Sequence, residues 1–360
     1  MSPNKDNPNK DSPNPDSPNP AATPRERGFR MPAEWEPHDA TWIAWPHNAD
    51  DWPGRFEPIP WVYGEIVRKL SQVERVRILL RNDDVEQNAR IVLEKCGVQW
   101  EAIEFYPMPT DRVWARDFAP LFVKDSLGKV AAVKWRFNGW AKYENHLLDE
   151  AAGIAIPELA GVEAWRPDMV LEGGSVDVNG AGLLLTTEEC LLSPIQPRNP
   201  GLSREEIESA LDDFLGADRV LWLRNGIAGD DTHGHIDDLA RFTDPETVVI
   251  AFEEDRTEAN YRPLRENWEI LKQYPVRARK LPMPAPLYFE GQRLPASYAN
   301  FYIANRMVLV PTFNDPNDRI ALDVLAECFP QRQVTGINCV ELIWGLGTLH
   351  CMTQQQPLAT

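Results

Sequence analysis

The sequence predicts an α/β fold assembled from about five pseudo-repeats of one ββαβ-type unit, closed by pairing of the two ends of the chain. Three observations lead there. Runs of β-prone residues flanking turn signals recur as hairpins, each followed by a helix-like stretch and a further strand. The second strands of these hairpins begin near residues 183, 248 and 308, a step of 60 to 65 residues. From Met31 onward the chain stays rich in Trp and apolar residues with no evident linker, and those 330 residues divide into five units of 66.

In chain order, residues 1–30 repeat Pro, Asn, Asp and Ser with no aromatic residue before Phe29. Such a segment buries too little apolar surface to offset ordering and reads as a disordered tail, leaving 31–360 as a single domain. Val62–Val73 and Val85–Lys95 are helix-like, and Pro120–Val123 with Val130–Trp135 reads as a hairpin. The first complete unit pairs Val176–Val178 with Leu183–Thr187 around Asn179-Gly180, opens a helix at Ser203 with its capping-box partner Glu206, and closes with Val220–Leu223. The second pairs Leu239–Phe242 with Val248–Phe252, then has an amphipathic stretch from Glu258 to Leu271 and a strand at Arg277–Leu281. The third pairs Phe301–Ala304 with Val308–Pro311, followed by helix-like Arg319–Cys328 and strand-like Gln333–Ile337.

Charge narrows the function. With 37 Lys and Arg against 55 Asp and Glu, the net charge is −18, which argues against nucleic-acid or anionic-membrane partners and favours a cationic small molecule. No apolar run approaches the ~18 residues of a membrane span, and the first residues lack a signal-like hydrophobic region, so a cytoplasmic address is expected. A homo-oligomer is compatible with the sequence. The five cysteines lack the spacings of a disulfide framework or zinc ribbon, and Cys96, Cys190, Cys328 and Cys339 sit in apolar runs as core residues.

A polar residue stands just ahead of each hairpin: Asp117, then Glu172-Gly173-Gly174, then His235 and Asp237, then Asn300, with His350-Cys351 near the chain end. If the units surround a pseudo-symmetry axis, these positions converge. Carboxylates around a thiol would repel an anion but hold a planar guanidinium in bidentate hydrogen bonds. That cation would stabilise the Cys351 thiolate, and its electron-poor carbon is what the thiolate attacks. His235 could then protonate departing ammonia and deprotonate the hydrolytic water.

The motifs Met31-Pro32-Ala33-Glu34-Trp35-Glu36-Pro37-His38, Trp114-Ala115-Arg116-Asp117, Glu172-Gly173-Gly174, Gly234-His235-Ile236-Asp237, Ala296-Ser297-Tyr298-Ala299-Asn300-Phe301-Tyr302 and His350-Cys351-Met352-Thr353-Gln354-Gln355-Gln356-Pro357 resemble, in this order, those of agmatine deiminases and the related bacterial peptidylarginine deiminases. The resemblance implies a five-bladed α/β propeller, the pentein fold. It also implies conversion of agmatine to N-carbamoylputrescine and ammonia through a covalent thiouronium. It makes Cys351 the nucleophile, His235 the general acid/base, Asp117 and Asp237 the guanidinium grip and Glu172 a further acid. Trp114, Asn300, Gly173 and Gly174 become substrate-binding positions. No metal or organic cofactor is implied. Relatives commonly carry Gly at the position of Ala119 and Gly-Gly at Ala141-Lys142, so the loop near the substrate tail departs from the pattern, and Arg136 or Lys142 could reach a carboxylate there.

Other readings stand beside this one. His233-x-His235-x-Asp237-Asp238 is similar to the metal run of metallo-β-lactamase-like hydrolases, although only His350 follows as a further histidine. The substrate could be peptidyl-arginine or another guanidine, and a binding module that has lost turnover would keep the same scaffold. Individually, Asp117 beside Arg116 could be a local ion pair, Glu172 a turn cap, and His350 a structural residue.

Overall fold

The computed structural model describes residues 22–360. Three sheets contain the expected unit complete. Asp177–Val178 runs antiparallel to Leu183–Thr187, the helix Arg204–Leu215 crosses over, and Arg219–Leu223 returns parallel. The parallel return follows from the crossover, because a helix between two strands carries the chain back to the end where the first began. Ser203 caps that helix through the reciprocal box with Glu206, and Gly216 ends it at φ 71°. The next unit is Ala240–Asp244, Thr247–Phe252, helix Tyr261–Leu271 and Arg277–Pro282. The third is Tyr302–Ile303, Met307–Thr312, helix Asn317–Cys328 and Gln333–Asn338.

The hairpin Leu121–Asp125 with Val130–Val133 is completed by the helix Leu147–Leu159 and the short parallel strand Ala164–Trp165. That helix contains Gly153 and Pro157, which break the periodic pattern by which it would be read. Gly153 is required by close approach: a Cβ there would lie 2.0 Å from the carbonyl oxygen of Phe118, at the end of the short helix Ala115–Phe118 that carries Asp117. The remaining sheet is shared between the ends of the chain. His38–Ala44, Arg75–Leu80 and Ile103–Pro107 are parallel, with helices Ile59–Leu70 and Asp83–Cys96 between them, and Gln354–Pro357 adds antiparallel to His38–Ala44. The ring therefore closes as expected.

The expected tail boundary at residue 30 is corrected. Phe29–Arg30 pairs antiparallel with Leu121–Asp125, Phe29 is buried, and the Arg27 guanidinium lies 4.7 Å from the centre of the Trp165 ring, whose Nε1 donates to the Ala22 carbonyl at 2.9 Å. These contacts use few residues, so the polar composition of the whole segment conceals them. The rest of the expected tail, residues 1–21, lies outside the described residues.

Along the axis the polar side chains bond across units. Glu34 accepts from Arg241 Nη2 at 2.7 Å and from the Ile303 amide at 2.6 Å; Arg241 Nε bonds Asp177 at 2.9 Å, and Arg116 Nη1 donates to Gln355 Oε1 at 2.8 Å. Buried charges persist here because each is paired, and the pairs hold the units in register around the site. Among the described residues, no helix is long and apolar enough to cross a membrane.

Candidate active site

Cys351 sits in the turn after His350, just before the closing strand, and is 5% exposed. Asn300 Nδ2 donates to its Sγ at 3.0 Å, and Asp237 Oδ2 lies 3.6 Å from the sulfur. Behind it, His235 is fully buried: Nδ1 stands 3.9 Å from both Asp117 Oδ1 and Asp237 Oδ1, and Nε2 stands 3.8 Å from Glu172 Oε2. Each carboxylate is fixed by a partner of its own. Glu172 is held by Arg198 at 3.0 Å, Asp237 by His350 Nδ1 at 2.7 Å, and Asp117 by Trp140 Nε1 at 2.9 Å and the Gly174 amide at 3.0 Å. Gly174 must lack a side chain, since a Cβ would lie 2.6 Å from His235 Nδ1 and 2.9 Å from Asp117 Oδ1.

The charges follow from these partners. Burial and the carboxylates of Asp237, Asp238 and Asp117 push the Cys351 thiol well above its usual range, with Asn300 acting the other way. Burial opposes a charge on His235, yet Asp117, Cys190 and Glu172 outweigh it and raise the imidazole well above 6.5. Burial also raises Asp117 to about 6, despite the opposing pull of His235. Glu172 goes the other way, to about 2, because Arg198 and His235 outweigh its burial. Asp237 is likewise lowered, burial being overcome chiefly by His350. The resting site thus pairs a neutral thiol with an imidazolium.

A cavity of about 360 Å³ leads down to Asp117 and Cys351 between the walls of Trp114 and Trp140. Its mouth carries Asp50, Asp51, Asp231 and Glu290. Two cations near the mouth are committed, Arg112 to Asp51 at 2.5 Å and Lys142 to Asp231, which also accepts from Tyr143 Oη at 2.7 Å, while the Arg55 guanidinium lies 4.2 Å from the ring centre of Trp344, another lining residue. Arg136 pairs with Asp168 on the surface. Ala141, where relatives commonly have Gly, adopts φ 54°, a conformation that favours Gly. Ala119, at φ −70°, needs none.

The structure brings Cys351, His235, Asp117, Asp237 and Glu172 to one place, with Trp114 on the wall. It separates three expected substrate-binding positions from the cavity: Asn300 is buried behind the thiol, Gly174 hydrogen-bonds Asp117 from behind, and Gly173 packs where a Cβ would lie 2.3 Å from the Arg116 carbonyl oxygen. The metal run does not converge, because His233, at φ 64°, faces a groove beside Glu189 while His235 points inward. Ligand-type atoms do gather within 4.8 Å in Glu172–Cys190–His235 and in Asp237–Asp238–Cys351, but Glu172 is already bound to Arg198 and Asp238 to Asn300. Sequence reasoning missed Arg198, Trp140, Asp238 and the Glu34–His350 pair. Arg198 lies 26 residues from its partner, between prolines, with no local signal to find it.

The sequence profile of the Porphyromonas-type peptidyl-arginine deiminase family matches residues 30–357. The chain belongs to this family. Among curated members, an agmatine deiminase of Pseudomonas aeruginosa is 37% identical over 366 residues, covering 93% of this chain and 97% of its own. The solved agmatine deiminase of Enterococcus faecalis superposes with a TM-score of 0.88 at 34% identity, over 95% of this chain and 99% of that one. A C. jejuni agmatine deiminase solved as a Cys-to-Ser variant with substrate bound gives 0.84 at 31% identity, over 91% and 96%. The family's pentein fold is the ring of five α/β units described above, and the chain is a hydrolase of carbon–nitrogen bonds.

Proposed function

We propose that the chain hydrolyses agmatine to N-carbamoylputrescine and ammonia through a thiouronium on Cys351. The observation that carries this reading is a set of buried atoms without hydrogen-bond partners beside Asp117 and Cys351 at the end of the cavity: Asp237 Oδ1, Glu172 Oε2 and both ring nitrogens of His235, from which the two carboxylate oxygens stand 3.8 to 3.9 Å away. An unmet buried polar atom costs about 1–3 kcal/mol, and a guanidinium supplies N–H donors to the acceptors among them. Asp117 and Asp237 take its N–H groups, and its charge offsets the carboxylates that disfavour the thiolate.

The Cys351 thiol then passes its proton to bulk water, where it later converts the released ammonia to ammonium, and the thiolate attacks the central carbon, giving a neutral tetrahedral adduct. The His235 imidazolium protonates one nitrogen, which leaves as ammonia, and the C–S bond remains in a planar cationic thiouronium. His235, now neutral, takes a proton from water as the hydroxide adds to carbon. Collapse breaks the C–S bond, leaves the ureido product, and returns the hydroxyl proton to the sulfur. The net products are the ureido compound and ammonium.

The mouth supports agmatine as the substrate. Its acids suit an amine at the far end, whereas Arg112, Arg136 and Lys142, which could receive a carboxylate, are already paired. An unpaired carboxylate beside these acids costs a few kcal/mol, so agmatine should exceed arginine and peptidyl-arginine by at least ~100-fold in kcat/KM. Ammonia release from the three substrates tests this, and comparable efficiency on either carboxylate-bearing substrate would overturn it. The five free cysteines are the support for action in a reducing, cytoplasmic setting.

A further inference from the structure

Asn300 touches the nucleophile and not the cavity. Its Oδ1 accepts three donors: Thr348 Oγ1 at 2.8 Å, the His350 amide at 2.9 Å and the Cys351 amide at 3.4 Å. Three donors on one oxygen fix which way the amide faces. Its Nδ2 therefore has two hydrogens to place, and two acceptors meet them at 3.0 Å each: Cys351 Sγ and Asp238 Oδ1.

Asp238 is fully enclosed at 3% exposure and adjoins Asp237 in the turn Ile236–Asp238, yet the two carboxyls serve the sulfur by different routes. Asp237, held by His350, approaches the thiol directly. Asp238 reaches it through the Asn300 amide. Without Asp238, one Nδ2 hydrogen would be buried without an acceptor, and the amide, still held at Oδ1, would tilt about that oxygen and lengthen the contact of the other hydrogen with the sulfur.

We propose that Asp238 is a positioning residue for the nucleophile: by accepting one Asn300 hydrogen it keeps the other aimed at Cys351 Sγ, so that Asn300 stabilises the thiolate rather than the substrate. This rests on Cys351 being the nucleophile, as proposed above. A hydrogen bond gains most from a charged acceptor, so the aimed N–H favours the thiolate over the thiol. It works against burial and against the carboxylates of Asp117, Asp237 and Asp238, all of which disfavour the anion; the buried Tyr63 hydroxyl is a further titratable group near the sulfur. Asp238 itself is surrounded by Asp230, Asp237 and His235, with Asn300 as its hydrogen-bond donor.

The test uses Asp238→Ala and Asp238→Asn in the full chain, with kinetics on agmatine and the pH profile of iodoacetamide alkylation followed at the Cys351 peptide. Asp238→Ala should lower kcat about 10- to 100-fold with KM within about threefold, and, since both variants lack the Asp238 charge that disfavours the thiolate, its alkylation midpoint should lie about one pH unit above that of Asp238→Asn. Asp238→Asn keeps an acceptor oxygen and should restore kcat to within about threefold. An alkylation midpoint in folded Asp238→Ala no higher than that of Asp238→Asn, or a raised KM with unchanged kcat, overturns the proposal. Should Asp238→Ala not fold, Asp238→Asn decides, since a loss of tenfold or more there would show that an acceptor oxygen is not what is needed. If the native chain releases no ammonia from agmatine, the proposed function falls, while the alkylation profile still decides the role of Asp238.

Discussion

The floor and the mouth of the cavity are both acidic, but they hold their acids differently. At and behind the floor Asp117, Glu172 and Asp237 are nearly or fully buried, and each is fixed by a partner: Asp117 by the wall residue Trp140 and the Gly174 amide, Glu172 by Arg198 and Asp237 by His350. At the mouth, Asp231 and Asp51 are paired to Lys142 and Arg112, and the loops that carry this rim include Trp140, Ala141 and Glu290 at positive φ. The floor has its carboxylates held in place before a ligand arrives, which is what chemistry on an unreactive guanidinium requires. The mouth includes a partly exposed pair, Lys142 with Asp231, where the far end of the substrate would be selected.

Removing the nucleophile tests the floor most severely: Cys351→Ala should lower ammonia release by at least about 10⁴-fold with the thermal melt retained, and substantial residual turnover would reject the covalent route. Arg198→Met should strand Glu172 as an unpaired buried carboxylate, costing roughly 3–5 kcal/mol in a denaturant titration. Its counterpart at the mouth, Lys142→Met, breaks a half-exposed pair and should change stability by less than about 1 kcal/mol. Equal effects of the two would erase the distinction between floor and mouth.

Asp117 sharpens the comparison through pH. Its carboxyl is raised to about 6, so the folded protein binds this proton at higher pH than the unfolded chain does. Burying the carboxylate therefore weakens the fold above pH 6, and that loss is recovered as pH falls toward 4, whereas guanidinium binding needs the carboxylate and weakens below about 6. Asp117→Asn should be more stable than the native chain at pH 7, with the difference shrinking toward pH 4, and kcat/KM of the native enzyme should fall over the same range. Asp51 at the mouth titrates in the same region and steepens the fall. The smallest effect is expected far from both ends: deleting residues 1–30 removes the edge strand and the Phe29 and Arg27 contacts, lowering Tm by a few degrees with kcat within about twofold.

The units that carry their own turn signals and caps were legible in the sequence, as Asn179-Gly180 and the Ser203–Glu206 box show. The helix Leu147–Leu159 was not, because Gly153 is there for contact with Phe118 and breaks the period that would announce it. Nor was Gln354–Pro357 legible as a strand from pattern. Three glutamines have no apolar alternation, and they are buried because partners such as Trp42 Nε1 and Arg116 meet their amides. In the site, residues that touch the cavity or the imidazole stood in short motifs at the unit starts. Their supports, Arg198 and Asp238, act through partners that only folding brings near, and Asn300 was read as a substrate wall because its motif does not reveal which way its amide faces.

The closing strand has a consequence for how the enzyme comes into being. His38–Ala44 takes Gln354–Pro357 as its antiparallel partner, and Cys351 lies immediately before that strand. On the ribosome about 300 residues separate the two, which at about 5–20 residues per second leaves the edge of His38–Ala44 without this partner for roughly a quarter of a minute to a minute. The thiol emerges just ahead of that strand, so a chain made only as far as residue 350 has neither Cys351 nor the partner that closes the ring, and one short stretch both completes the ring and arms it.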